Sequence, residues 1–200
     1  MLTRNKISSL VIDTLCGQAR GQNIAVLSFY CDHQARKDQP ATKIIGSLLR
    51  QVVAAARVPE EIRDAFEESK QRGGKRLRLP DMLKLLVNVI GCMERAYICV
   101  DAVDELLPQN RSEFLRALRL VVEEASNVRV FLTGRPYIRR ELDKHLTRGA
   151  YIIHIVPDQG DITRYLSRKI DDDDDRDSDL MTENLKDDIM KTMLEKFSEM

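Results

Sequence analysis

Three carboxylates crowd the end of an apolar run. In "AYICVDAVDEL" (residues 96 to 106), Asp101, Asp104 and Glu105 follow a stretch that otherwise reads as buried. One carboxylate at a strand tip can hold a magnesium ion, usually through water. A further acid a few positions on can orient or deprotonate a water that attacks a phosphoryl group. The same residues admit a plainer role: Asp101 caps the next turn, and Asp104 and Glu105 begin a helix, where acids suit the positive end of its dipole. A second stretch, "VRVFLTGRP", ends its apolar run in Thr133, Gly134 and Arg135 about 30 residues later. If both runs are strands of one sheet, their tips share an edge, and a cation faces the acids. Arginine offers a fixed fork of donors that suits a phosphate, and a polar residue at that strand end could report a terminal phosphate. With no phosphate present, Arg135 could equally pair with Asp101 or Asp104.

The elements that must position these residues are legible from hydrophobic periodicity. Ile7, Leu10, Val11 and Leu15 recur at helical spacing, and Gly17 and Gly21 end that helix before "NIAVLSFY" (23 to 30), a β-rich run. "KIIGSLLRQVVAAA" predicts a second amphipathic helix after Pro40. "PEEIRDAFEESKQR" predicts a third, with acids at its start and bases at its end, and "LPDMLKLLVNVIGCME" a fourth that opens on Pro80 and Asp81. Strands follow at 96 to 100 and 128 to 133, a helix over roughly 111 to 125, a short helix at 139 to 147, and a last strand, "AYIIHIV", at 150 to 156. Strands alternating with helices argue for an α/β fold with a parallel sheet flanked by helices. Beyond Pro157 the texture changes: "DITRYLSRKI" opens a helix, "DDDDDRDSD" (171 to 179) reads as a solvated linker or, alternatively, an acidic cation site, and "ENLKDDIMKTMLEKF" is a last amphipathic helix. The division expected is 1–157 for the α/β domain and 158–200 for a linker and the start of a helical domain.

Composition narrows the partners. The chain of 200 residues carries 32 basic and 32 acidic side chains, so no global field draws it to nucleic acid or an anionic membrane, and phosphate recognition must be local. Cys16, Cys31, Cys92 and Cys99 show no CxxC spacing and mostly fall in apolar stretches, which points to a reducing, cytoplasmic setting. No run approaches the ~18 apolar residues of a membrane span.

"YICVDAVDEL" resembles the Walker B segment, and "VFLTGRP" the sensor segment, of NACHT-type signalling NTPases, specifically the nephrocystin-like N-terminal domains common in large fungal proteins of the STAND class. The resemblance extends over "ISSLVIDTL", the helix after the phosphate-binding loop, "VLSFYCDH", the second strand, "ATKIIGSLLRQVV", the next helix, and "DITRYLSRKI", the segment leading to a helical domain. It implies a P-loop NTPase-like sheet, with Asp101 on magnesium, Asp104 and Glu105 near the attacking water, and Arg135 as sensor. Mg2+ with ATP or GTP would be the ligands, and protein partners or self-association the readout.

One departure stands against the matches. Relatives carry a strand and a GxxxxGK[ST] loop just before the "SSLVIDTL" helix, whereas Thr3, Arg4 and Asn5 stand here where Gly, Lys and Ser/Thr are expected. That loop supplies the backbone nest, the lysine on the phosphates and the hydroxyl on magnesium. "QRGGKRLRLP" (71 to 80) lacks its spacing and reads as a basic loop. Nucleotide affinity is therefore expected to be weak or nil, and hydrolysis absent. In the family's strand order of fifth, first, fourth, third, second, the missing first strand would leave a gap between 128–133 and 150–156. Truncation at both ends is the expectation. Two classes stay open: a nucleotide-dependent signalling switch, and a non-catalytic protein-interaction remnant.

Overall fold

The computed structural model describes residues 2–54, 77–146, 150–155, 159–174 and 182–198. They divide into two compact units, Met1–Ala150 and Tyr151–Met200. The first runs α1 (Leu2–Ala19), β1 (Ile24–Tyr30), a 3-10 turn (Arg36–Asp38), α2 (Ala41–Ala54), α3 (Leu79–Gly91), β2 (Arg95–Asp101), a 3-10 turn (Val103–Glu105), α4 (Pro108–Glu124), β3 (Val128–Leu132), a 3-10 turn (Pro136–Ile138) and α5 (Arg139–Leu146). The second holds α6 (Gln159–Asp174) and α7 (Glu183–Ser198).

The sheet is parallel throughout, in the order β1-β2-β3. This is the arrangement expected of an α/β fold, and the order is the one the resemblance implies for second, third and fourth strands. The register is in step across all three: Leu27 faces Ile98 and Ile98 faces Val130, while Phe29 faces Val100 and Val100 faces Leu132. Alternation then sorts the faces. Ala96, Ile98 and Val100 join Ala25, Leu27 and Val128 in the main core with the apolar stripes of α2, α3 and α4. Those stripes recur at helical spacing, as in Ile44, Ile45, Leu48, Leu49 and Val52 of α2 and Phe114, Leu115, Leu118 and Val121 of α4. Proline just inside the start of α3 and of α4 fixes where each begins. Residues of the other phase in β2, Cys99 and Asp101, face α1, which lies against β1 and β2.

Three expectations meet a different outcome. Residues 150–155 are not a strand: no strand beyond β1, β2 and β3 occurs among the described residues, and Tyr151 and Ile153 are 96% and 81% exposed. β propensity cannot order an extended run that has no neighbouring backbone to bond. The aspartate run does not start as a linker, because α6 continues through Asp174. Finally, Cys16 and Cys92 are exposed, while Cys31 and Cys99 are buried as foreseen. The helix expected at 59 to 72 and the glycines of the 71 to 80 loop lie outside the described residues. Among the described residues no helix is long and apolar enough to cross a membrane. In the second unit α6 and α7 pack on each other, with Leu166 and Ile170 buried.

Candidate functional site

The carboxyl ends of β2 and β3 lie side by side, and the acids of one meet the polar residues of the other. Asp101, 3% exposed, ends β2. Its Oδ1 accepts a hydrogen bond from Ser8 Oγ of α1 and another from Thr133 Oγ1 at 2.5 Å. The same threonine oxygen accepts from the Ala102 amide at 2.8 Å, and its backbone closes the corner: Val103 N donates to Thr133 O at 2.9 Å and Thr133 N to Val100 O at 3.1 Å.

These bonds hold Ala102 at φ 56° and ψ 46°, the only positive φ outside glycine among the described residues. A left-handed alanine costs roughly 1–2 kcal/mol and persists only where its surroundings over-determine it. Its effect is to turn the chain sharply out of the sheet and into the 103–105 turn. That turn is clamped from behind. The buried Arg111 guanidinium donates from Nη1 to Asp104 O and Leu106 O at 3.4 and 3.3 Å, and its Nε pairs with Glu141 Oε2 at 2.7 Å. Tyr137 Oη donates to Asp104 O at 3.1 Å.

Asp104 is 5% exposed, and its Oδ1 accepts from the Arg135 amide at 3.1 Å while its Oδ2 lies 3.4 Å from Arg135 Nε. Gly134 leaves room at this strand end: a Cβ there would come within 2.6 Å of Ile138 Cδ1, so that side-chain tip would have to shift. Glu105 is half-buried, and its Oε2 accepts from the His33 amide at 3.0 Å, tying the segment after β1 to the turn. Cys31, at the start of that segment, reports the local field. Burial, and then Asp101, Glu105 and Asp104, push its thiol up from 9.0 to about 12.

The structure thus brings Asp101, Asp104, Glu105 and Arg135 to one edge, as the two apolar runs predict. It adds Ser8, Thr133, Arg111 and the His33 amide. Thr133 was legible as the polar end of a strand. Ser8 left no local signal, since its partner lies 93 positions away. Arg111 carried no signal, since an arginine on a helix usually faces water.

The Nephrocystin 3, N-terminal family matches residues 5–135, which span this whole edge. The chain belongs to that family. The matched stretch begins within α1 and ends at Arg135, so Ser8, the acid turn and Arg135 all lie inside the nephrocystin-type region. No curated protein matches the chain in sequence. Among solved structures it is similar to a Walker-type ATPase of Pyrococcus abyssi at 11% identity and a TM-score of 0.42, over 96% of this chain and 62% of that one. The chain therefore spans less than two thirds of that protein's length.

The donor set fits magnesium better than a protein-caged metal. No group of three or more His, Cys, Asp or Glu side chains converges on a cation position among the described residues. Mg2+ keeps several waters and is usually held by one or two carboxylates together with substrate phosphates, which a single oriented carboxylate at a strand tip can satisfy. Both hydroxyl bonds fall on Oδ1 of Asp101, so the side chain is oriented while Oδ2 is used by neither.

Proposed function

We propose that this nephrocystin-type domain is the nucleotide-facing part of a STAND-class signalling switch, whose state controls assembly with protein partners. One observation carries the reading: the tips of two adjacent parallel strands deliver three acids and an arginine to the edge where open α/β sheets take ligands. Asp101 would hold Mg2+, which when bound supplies positive charge against the phosphate oxygens of ATP or GTP. Glu105, the half-exposed acid, would take a proton from water as the water oxygen bonds to the terminal phosphorus and the bridging oxygen leaves with the nucleoside diphosphate. Asp104 would orient that water or, as here, hold Arg135 until a terminal phosphate competes for the guanidinium.

A second reading, a protein-interaction module without chemistry, is favoured by the same geometry, since each carboxylate already has a protein donor. The test separates them. Thr3, Arg4 and Asn5 are helical in α1 and form no phosphate cradle, so the 200 residues alone should bind Mg-ATP at millimolar levels and hydrolyse none. Turnover above an Asp101→Ala, Glu105→Ala control would overturn the second half of that expectation. With a strand and a GxxxxGK[ST] loop placed ahead of α1, Glu105→Gln should slow hydrolysis about 10²-fold or more while nucleotide is retained. Equal loss of binding would make Glu105 structural and leave the interaction module standing.

A further inference from the structure

The acid that faces solvent is not free to act alone. Of the three carboxylates, Asp101 is held by α1 and the end of β3, and Asp104 by Arg135, while Glu105 is held by the backbone of the segment that joins β1 to α2. That segment has a definite construction. It starts with the Cys31 amide donating to Asp101 O at 3.0 Å. It is stapled by the buried Gln39 side chain, whose Oε1 accepts from Asp32 N at 3.2 Å and whose Nε2 donates to Asp32 O at 2.8 Å. It ends at Ala41, fully buried at the start of α2. Between these anchors Asp32, His33, Gln34, Lys37 and Asp38 are exposed. The Arg36 Nη1 lies 3.4 Å from His33 Nε2, and its buried Nε has no hydrogen-bond partner. The loop is therefore fixed at both ends, and between them the His33 amide ties it to the acid turn.

We propose that the segment Asp32–Gln39 positions Glu105, and that the bond from His33 N to Glu105 Oε2 is the contact through which this loop reads the protonation and phosphate state of the site. The chemistry is that of a charge-assisted hydrogen bond. An ionised carboxylate is a strong acceptor, and a proton on Glu105, or a rotation of its side chain toward water, weakens the bond to the amide. When Glu105 takes the proton of the attacking water, the bond that holds the middle of the loop loses its charge assistance and weakens. The Gln39 staple and the buried start of α2 remain, so the change is confined to residues 33 to 38. An exposed surface carrying His33, Gln34 and Lys37 would then differ between the two states and could be read by a partner. This inference rests on the nucleotide reading above for its trigger, while the latch itself exists without nucleotide.

Amide exchange on the 200-residue chain tests both parts. Glu105→Ala should speed exchange of the His33 amide and its neighbours to residue 38 by tenfold or more, with residues 97 to 100 of β2 unchanged. Glu105→Gln is neutral, as a protonated Glu105 would be, and should speed exchange over the same residues by less than Glu105→Ala does; protection equal to that of the native chain would overturn the release by protonation. His33→Ala should behave as the native chain, because the donor is backbone. Unchanged protection in Glu105→Ala overturns the latch and leaves the nucleotide reading intact. Faster exchange in β2 as well would mark Glu105 as merely structural and also overturn it. The trigger is read by adding millimolar Mg2+ and ATP, which without hydrolysis tests the rotation of Glu105 away from the amide: resonances of Gly134 and Arg135 should shift, and exchange at His33 should move toward the Glu105→Ala value. Shifts at Gly134 and Arg135 with no change at His33 overturn the coupling alone. No shift anywhere overturns the nucleotide reading, and the trigger with it.

Discussion

"AYICV" and "AYIIHIV" begin with the same three residues and are both rich in β-branched and aromatic side chains, yet one is the centre of the sheet and the other is not a strand at all. Ile98 is wholly buried between Leu27 and Val130, and Ile153 is 81% exposed. Side-chain preference is common to both, so it does not decide. What differs is the neighbour: β2 has a parallel strand on each side to take its backbone groups, and no strand among the described residues pairs with 150–155. A strand is a property of a pair.

The comparison breaks most visibly in amide exchange. Residues 97 to 100 should exchange only through global opening of the first unit, and residues 151 to 155 almost as a free chain, a gap of about 10³-fold or more for a domain of ordinary stability. Comparable protection in the two segments would mean that 150–155 is paired after all, and that the neighbour argument is wrong.

The next effect is energetic. Ile98→Ala removes the same atoms as Ile153→Ala, but only the first leaves a cavity. It should cost the first unit about 2–5 kcal/mol in denaturant unfolding, against no more than about 0.5 kcal/mol for the second. Near-equal costs would show that Ile153 is packed against something in solution.

How far the sequence reached follows from the same physics. The β1, β2 and β3 runs, the stripes of α2 and α4 and the meeting of Asp101, Asp104, Glu105 and Arg135 on one edge were all legible, because each rests on short-range periodicity plus the rule that parallel strands share a carboxyl edge. The pairing of Arg135 with Asp104 was one of the alternatives the residues allowed. The 150–156 strand was misread because periodicity registers a propensity and is silent about a partner. Three supports escaped for a related reason. Ser8 reaches Asp101 across 93 positions, the His33 amide reaches Glu105 across 72, and Arg111 acts on backbone carbonyls, none of which leaves a local trace. The left-handed Ala102 was invisible because alanine carries no preference for that region.

A smaller effect tests how the strand tip is held. Asp101→Asn keeps an oxygen for the Ser8 and Thr133 hydroxyls but removes the charge, and should cost about 1–2 kcal/mol. Thr133→Val removes one of the donors, so the double variant should lose less than the sum, by about 0.5 kcal/mol or more. Strict additivity would mean that the 2.5 Å bond contributes nothing to stability.

The last effect is silent below pH 9 and separates the acid-lined edge from every other part of the molecule. Cys31 lies at the tip of β1, where burial and three carboxylates keep its thiol protonated until about pH 12, against 9.0 for an ordinary thiol. Cys99, buried in β2, is held to about 11 by burial first and then by Cys16. The sign follows from proton counting. Above pH 9 the unfolded chain releases these protons and the folded chain retains them, so the unfolded state binds fewer protons and stability falls as pH rises. Below pH 9 both states are protonated and neither thiol contributes. The slope approaches about 1.4 kcal/mol per pH unit for each thiol within its window. Cys31→Ala should therefore flatten the decline between pH 9 and 12 relative to the native chain. In parallel, a thiol reagent at pH 8 should modify the exposed Cys16 and Cys92 and spare Cys31. If Cys31 is modified as fast as Cys16, the β1 tip is open to solvent and the three acids do not crowd it as described.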